Sequence, residues 1–283
     1  MEDLYNSIIQ QLASANIPSP RLEARLLMAH VLNCNPSEIY TGVVVSLSQK
    51  QQIEHLLRRR LAHCPLDKII GKREFYKSEF ICNENVLSPR PDTEILVEEA
   101  IRILSRQPTS NILDLGTGSG CIILSLLKEF PQTHGVAVDI SEKALEVAKA
   151  NSKSLHLETQ IKFYLGSWFA DDFCAQIGAE FNLIVSNPPY IASSEIADLA
   201  PEVKKYDPML ALDGGKSGFD SYIRIAEIAP KLLADNGYIL LEAGKGQAPK
   251  IGEIFAQNGL KLCAIIPDLA GIERCVILQK AVA

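Results

Sequence analysis

The clearest chemistry in the chain lies where an apolar run ends. In FNLIVSNPPYIAS, the stretch Phe181 to Val185 stops at Ser186 and is followed by Asn187, Pro188, Pro189 and Tyr190. The prolines have a fixed φ and no N–H, so the turn is stiff, and the carbonyls of Asn187 and Pro188 are not followed by backbone donors. The Asn187 side-chain oxygen and the Pro188 carbonyl then form a pair of acceptors for both hydrogens of a planar –NH2 group, and the Tyr190 ring can stack on the flat group that carries it. An amide or aromatic amine nitrogen is a poor nucleophile because its lone pair is delocalised. Holding both N–H bonds favours a more pyramidal nitrogen aimed at an electrophile, through positioning and electrostatics and without a strong base.

A second constellation is Asp114-Leu115-Gly116-Thr117-Gly118-Ser119-Gly120. It lies between a predicted strand and a predicted helix, where an open α/β sheet binds its ligand. The glycines let backbone approach a ligand closely. Their spacing is GxGxG instead of the GxGxxG of a dinucleotide site, and an acidic residue stands just before the first glycine, which suits a nucleoside with a cationic amino-acid tail better than a pyrophosphate. Nineteen positions after Gly120, Asp139 closes the next strand, where a carboxylate can accept both hydrogens of a ribose diol. Gly166-Ser167-Trp168-Phe169 ends the third strand, and the chain's only tryptophan could pack there on an adenine ring.

These residues need elements to position them. After Ser88-Pro89-Arg90-Pro91, strand-like and helix-like segments alternate: NILDLG, HGVAVD, IKFYLG, FNLIVSN, GYILLEA, LKLCAIIPD and RCVILQK. Apolar strands alternating with helices indicate an α/β, Rossmann-like doubly wound sheet of seven strands. Too few residues separate the last two strands for a crossover helix, so they are expected to form an antiparallel hairpin at one edge. From Leu4 to about Leu61 the apolar spacing is helical, with Ser19-Pro20 expected to cap and start the second helix. Between Ile69 and Val86 the period falls to about two. The expected organisation is a small N-terminal all-α domain (1–68), a β-hairpin connector (69–88) and a catalytic domain (89–283).

Bulk properties narrow the function. The chain has 283 residues, 47% of them hydrophobic and 22% charged, and no apolar run approaches the ~18 residues of a membrane helix. With its acidic, amphipathic start, a cytoplasmic protein with no membrane partner is expected. Seven cysteines never closer than twelve positions suggest neither a disulfide framework nor a zinc pair, so no metal is expected. The net charge is −6, distributed as +2 over residues 1–90 and −8 over 91–283, which argues against stable nucleic-acid binding. Arg58-Arg59-Arg60 reads as a solvated helix face.

ILDLGTGSG, VAVDIS and NPPY together resemble class I methyltransferases that use S-adenosylmethionine, and NPPY resembles the subgroup that methylates planar nitrogen in DNA adenine or protein glutamine. GKREFYKSEF, Pro89 to Glu94, LAPEVKKYDPMLALDGGKSGFDSY and DLAGIERCV extend the match to nearly the whole chain. In these the sequence is similar to the bacterial-type release factor glutamine methyltransferases (PrmC/HemK family). The resemblance implies transfer of a methyl group to the side-chain nitrogen (N5) of the Gly-Gly-Gln glutamine in class I peptide chain release factors. It implies that Gly116, Thr117, Gly118, Ser119 and Gly120 hold the methionine part of the cofactor, Asp139 the ribose and Trp168 the adenine side. Asn187, Pro188, Pro189 and Tyr190 would bind the glutamine, with Asn187, Pro188 and Tyr190 as catalytic residues and Asn187 also beside the cofactor, while the helical domain helps dock the release factor. Ser167, Asp92 and Asp67-Lys68 depart from the family's usual residues. Three alternatives stand beside this at this point: a DNA adenine N6-methyltransferase, since adenine presents the same planar –NH2; a noncatalytic module that senses S-adenosylmethionine; and a nicotinamide oxidoreductase, which the GxGxG spacing disfavours.

Overall fold

A computed structural model describes residues 2–41, 44–106, 110–178 and 180–280. Met1 of the expected helical domain and residues 107–109, 179 and 281–283 of the expected catalytic domain lie outside the described residues, as do residues 42–43. The chain forms two compact units: Met1–Lys72 with Ala200–Tyr206, and Arg73–Leu199 with Asp207–Ala283.

In the first unit, α1 (Glu2–Ser14), α2 (Pro20–Leu32), α3 (Leu47–Leu61) and the short α4 (Leu66–Ile70) enclose an apolar core. Ile8 and Leu12, Leu27 and Met28, and Ile53 and Leu57 supply it, because residues three and four apart share a helix face. Ser46 caps α3 in a reciprocal box with Gln49. Ser19 does not cap α2. It sits in the left-handed region at φ 52° and makes no side-chain cap bond, so α2 starts on Pro20, whose missing N–H needs no partner. The expectation of a solvated arginine face also needs correction. Arg58 and Arg59 are exposed, but the 100° step between helix residues turns Arg60 inward, leaving it 2% exposed. Its guanidinium pairs with Glu23 and, at 2.7 Å, with Glu202, which belongs to the helical turn Pro201–Tyr206, α9 in chain order. Lys68 Nζ donates to the Tyr206 carbonyl, and the Tyr206 hydroxyl donates to the Ala62 carbonyl at 2.9 Å.

The second unit begins one residue into a hairpin, β1 (Lys72–Phe75) and β2 (Ser78–Ile81), turned by Tyr76 and Lys77, both at positive φ as a type I′ turn requires. Next come α5 (Glu94–Leu104), β3 (Asn111–Leu115), α6 (Cys121–Glu129), β4 (His134–Asp139), α7 (Glu142–Ser154), β5 (Ile161–Leu165), α8 (Phe173–Ile177) and β6 (Phe181–Ser186). After α9 follow α10 (Asp220–Leu232), β7 (Leu233–Glu242), α11 (Ala248–Ala256), β8 (Leu260–Pro267) and β9 (Glu273–Lys280). The seven-stranded sheet has the order β5-β4-β3-β6-β7-β9-β8. All pairings are parallel except those of β9, which runs antiparallel to both β7 and β8. The order reverses between β3 and β6, which is where a doubly wound sheet opens a crevice at its carboxyl edge.

The continuous apolar runs in the sequence reflect burial on both faces. Leu113, Leu115, Ile184, Ile239 and Leu241 point into one core, while the alternating Ile112, Leu183, Val185 and Leu240 point into the other. Among the described residues, no helix is long and apolar enough to cross a membrane.

Replacing Arg60 with alanine would leave two carboxylates without their buried cation. The variant is expected to lose about 3 kcal/mol of stability, seen as a lower urea midpoint for the helical unit. An unchanged midpoint would show that the ion triad does not hold that unit together.

Candidate active site

At the switch point, β3 and β6 pair with Leu115 opposite Ser186. The Ser186 hydroxyl donates to the Leu115 carbonyl at 2.6 Å, which fastens the two strand ends and places the residues after each of them side by side. The glycine loop leaves β3 and is pinned to β4, since the N–H groups of Gly116 and Thr117 both donate to the Val138 carbonyl at 2.9 Å. Gly116, Gly118 and Gly120 all have positive φ. A Cβ added at Gly118 would meet nothing within 4 Å, so the backbone there faces open space. The helix after the loop begins at Cys121, with Gly120 as its cap.

The loop is braced from within and by Asn151, a residue to which sequence reasoning gave no role. Thr117 donates to Asp114 at 2.8 Å, and Asn151, a buried amide in α7, donates to the carbonyls of Ser119 and Ile81 while accepting from the Ile81 N–H. The β1–β2 hairpin and the glycine loop are therefore tied through one side chain. Asp139 at the end of β4 accepts from the N–H groups of Gly118 and Ser141, both at 2.9 Å.

These elements surround a cleft that opens to solvent. Gly116, Thr117, Gly118, Ser119, Asp139, Trp168, Asn187 and Pro189 line it, together with the stretch 85–90 and with Pro208, Leu210 and Ala211, which sequence reasoning did not place there. Arg90 and Asp207, the residue before Pro208, form a 2.8 Å ion pair. Gly120, Pro188 and Tyr190 are not among the lining residues. Pro188 is buried, and the Tyr190 ring packs partly buried against the core beside Gly244. Trp168 is 7% exposed and belongs mainly to the core, with its ring edge against Gly116.

The Asn-Pro-Pro-Tyr turn rests on a cradle formed by LDGGKSG. The N–H of Ile191 donates to the Leu212 carbonyl and that of Gly214 to the Ile191 carbonyl, so the chain leaving the turn pairs with 212–214. A Cβ at Gly214 would lie 2.8 Å from the Pro189 carbonyl oxygen, and one at Gly218 would lie 2.5 Å from that of Tyr190. From the other side, Gln247 donates to the Tyr190 carbonyl at 3.0 Å. The glycine-rich composition of 214–218 was a visible signal for this role, whereas the long reach of Gln247 was not.

Electrostatically the site is a set of desolvated acids. Burial pushes the Asp114 carboxyl up to about 7, with the Asp139 charge adding to the shift. Asp139 is also raised by burial, although backbone donors oppose the shift. Glu242, at the end of β7, is pushed up to about 7 by burial, against a hydrogen bond from Thr93 and the charge of Arg274. A carboxylate closing the apolar run GYILLEA at the carboxyl edge was the sequence signal for it. Burial and Glu242 together push the Tyr190 phenol to about 12.

Seven strands in this order, with the penultimate position filled by an antiparallel strand and a glycine loop after β3, constitute a Rossmann-like methyltransferase fold. The hMettl16 catalytic domain, solved in complex with the MAT2A 3′UTR hairpin 6, shares that fold at a TM-score of 0.58 and 14% identity, over 89% of this chain and 92% of that one. Residues 3–71 match the PrmC N-terminal domain and residues 91–203 the methyltransferase small domain. The release factor glutamine methyltransferase of Rhodospirillum rubrum is 40% identical over 275 residues, 96% of this chain and 83% of its own length. That of Cereibacter sphaeroides is 37% identical, over 97% of this chain and 96% of its own. The chain belongs to the release factor glutamine methyltransferase family.

Gly214→Ala would force a methyl group into the backbone beneath the Asn-Pro-Pro-Tyr turn. It is expected to cost roughly 1–3 kcal/mol in urea unfolding of the catalytic unit. Wild-type stability would mean that the cradle yields more readily than its contacts imply.

Proposed function

We propose that the protein transfers a methyl group from S-adenosylmethionine to the side-chain amide nitrogen (N5) of the glutamine in the Gly-Gly-Gln loop of class I peptide chain release factors. The observation that carries the reading is the adjacency of Asn187 and the glycine loop across the β3–β6 switch point, within a chain of this family. Two buried polar atoms of the cleft lining, Ser88 Oγ and Trp168 Nε1, have no hydrogen-bond partner among the described residues, which fits a cleft completed by a polar ligand. S-Adenosylmethionine, when bound, supplies an electrophilic methyl group on a cationic sulfur.

The chain's own part is binding and orientation. Gly116 to Gly120 would hold the amino-acid tail, Asp139 the ribose diol, and Trp168 the adenine side of the cleft. Asn187 Oδ1 and the Pro188 carbonyl would each accept one hydrogen of the glutamine –NH2, turning the nitrogen lone pair toward the methyl carbon. Pro189 and Tyr190 stiffen and back the turn. No general base is required before the nitrogen attacks, because proton loss can follow methyl transfer. We propose further that the helical unit contributes to docking the release factor, a need that a small substrate would not create.

Asn187→Ala is expected to abolish transfer while cofactor binding largely survives. The measurement is label uptake from S-adenosylmethionine into a full-length class I release factor, with its Gly-Gly-Gln→Gly-Gly-Ala variant and duplex DNA as controls. Label in the duplex or in the Gly-Gly-Ala variant would sink the glutamine assignment, and wild-type turnover by Asn187→Ala would sink the role of that residue.

A cation over the glycine loop favours the ionised form of Asp114, so by linkage its binding is coupled to loss of a proton. Because burial holds that carboxyl near 7 in the free protein, cofactor affinity is expected to rise severalfold between pH 6 and pH 8. Calorimetric titration showing constant or falling affinity over that range would contradict this.

A further inference from the structure

Asn187 can serve as an acceptor only if its amide is turned the right way. Its oxygen and its –NH2 are nearly the same size, so packing alone does not choose between the two orientations, and hydrogen bonds must. Behind the amide, Asn187 Nδ2 lies 3.4 Å from Thr93 Oγ1 as donor. The Thr93 hydroxyl donates in turn to Glu242 Oε2 at 2.5 Å. Thr93 is 3% exposed and Glu242 is 3% exposed, so water does not compete for these groups. The Tyr222 hydroxyl donates to the backbone carbonyl of Glu242 at 2.7 Å and fixes the strand end that carries the carboxylate.

A threonine hydroxyl has one hydrogen. While Glu242 is ionised it can only accept, so it takes that hydrogen, and the Thr93 oxygen then faces Asn187 solely as an acceptor. The amide must present its –NH2 to Thr93, which leaves Oδ1 for the cleft. We propose, on the reading that the substrate group is a glutamine –NH2, that Thr93 and Glu242 are positioning residues that set the orientation of the Asn187 amide and so make it an acceptor for the nucleophile. Neither group touches the reacting atoms.

If Glu242 is protonated, the order of donors can reverse. The carboxylic acid donates to Thr93 Oγ1, the Thr93 hydrogen is released toward Asn187, and an amide turned to accept it presents its –NH2 to the cleft. A donor would then face a donor. Burial raises the Glu242 carboxyl to about 7, against hydrogen bonds from Thr93 and Asn187 and the charge of Arg274, with Asp92 adding to the rise; the Tyr190 and Tyr222 phenols and the Cys121 and Cys275 thiols are the other titratable groups around it. Below that pH the clamp is weakened, and above it the clamp is set.

The test uses the full chain with selectively ¹⁵N-labelled asparagine, the Asn187 side-chain signal being the one absent from Asn187→Ala. In the wild type, the two Asn187 amide protons are expected to shift as pH crosses about 7, and kcat at saturating cofactor is expected to rise over the same range. Glu242→Gln and Thr93→Val should abolish the shift and lower kcat roughly tenfold or more, with KM for the release factor changed by no more than about twofold. Thr93→Ser, which keeps the hydroxyl, should restore both. Thr93→Val decides the matter if Glu242→Gln does not fold. Asn187 protons indifferent to both substitutions, or variants with wild-type kcat and pH profile, would overturn the proposal. Failure of the wild type to label a release factor would count against the glutamine reading, and the amide spectrum would still decide whether the clamp exists.

Discussion

Leu115 and Ser186 face each other where two parallel strands end, and the bond from the Ser186 hydroxyl to the Leu115 carbonyl closes that junction. Parallel strands at the centre of a sheet are buried on both faces, so any polar group at their ends has to find a partner in the protein or in a ligand. Ser186 satisfies one such carbonyl and leaves the chain free to turn. The glycine loop begins one residue after Leu115, and the Asn-Pro-Pro-Tyr turn begins one residue after Ser186. Two loops with different chemistry are thus brought together by one register, and a shift of that register would move them apart and reverse the face of each side chain.

Around this junction the protein buries acids. Asp114, Asp139 and Glu242 are each desolvated, and each has a raised carboxyl, so the free protein carries an unfavourable electrostatic arrangement that a cation would relieve. The same burial that makes these groups costly makes their hydrogen bonds directional. Thr93 between Glu242 and Asn187, and Thr117 on Asp114, are small hydroxyls that pass the direction of a buried charge to the surface of the cleft. On the proposed function the site would work mainly through fixed dipoles and acceptors, in keeping with a reaction whose difficulty is the orientation of a weak nucleophile.

Rigidity at the turn comes from both sides. The prolines remove backbone freedom within it, and the flanking segment 212–218 removes the space into which it could move, with Gly214 and Gly218 allowing backbone to lie directly against backbone. Gln247 reaches in from the start of α11 to hold the Tyr190 carbonyl. The Tyr190 ring is part of this scaffold and not of the cleft lining, since it packs against the core behind the turn.

Much of the fold was legible in the sequence for a local reason: period, chain length between strands, and turn residues are properties of neighbours in the chain. Alternating apolar strands and helices identified the doubly wound sheet, and the five residues between LKLCAIIPD and RCVILQK excluded a crossover helix, which left an antiparallel pair. The glycine spacing, Asp139 and the Asn-Pro-Pro-Tyr turn were legible because their chemistry resides in residue type and spacing. Other features depend on the angular direction of a side chain in three dimensions. Ser19 was misread because its left-handed backbone turns the hydroxyl away from the helix it precedes, and Arg60 because only its direction, not its charge, puts it among Glu23 and Glu202. Thr93, Asn187 and Glu242 are separated by 94 and 55 positions along the chain, and no periodicity links them. The sequence by itself determined which candidate acceptors stand at the end of the fourth strand, while only the tertiary structure decided what lies behind the Asn187 amide, because the proposed clamp rests on a buried hydroxyl proton shared across three distant elements.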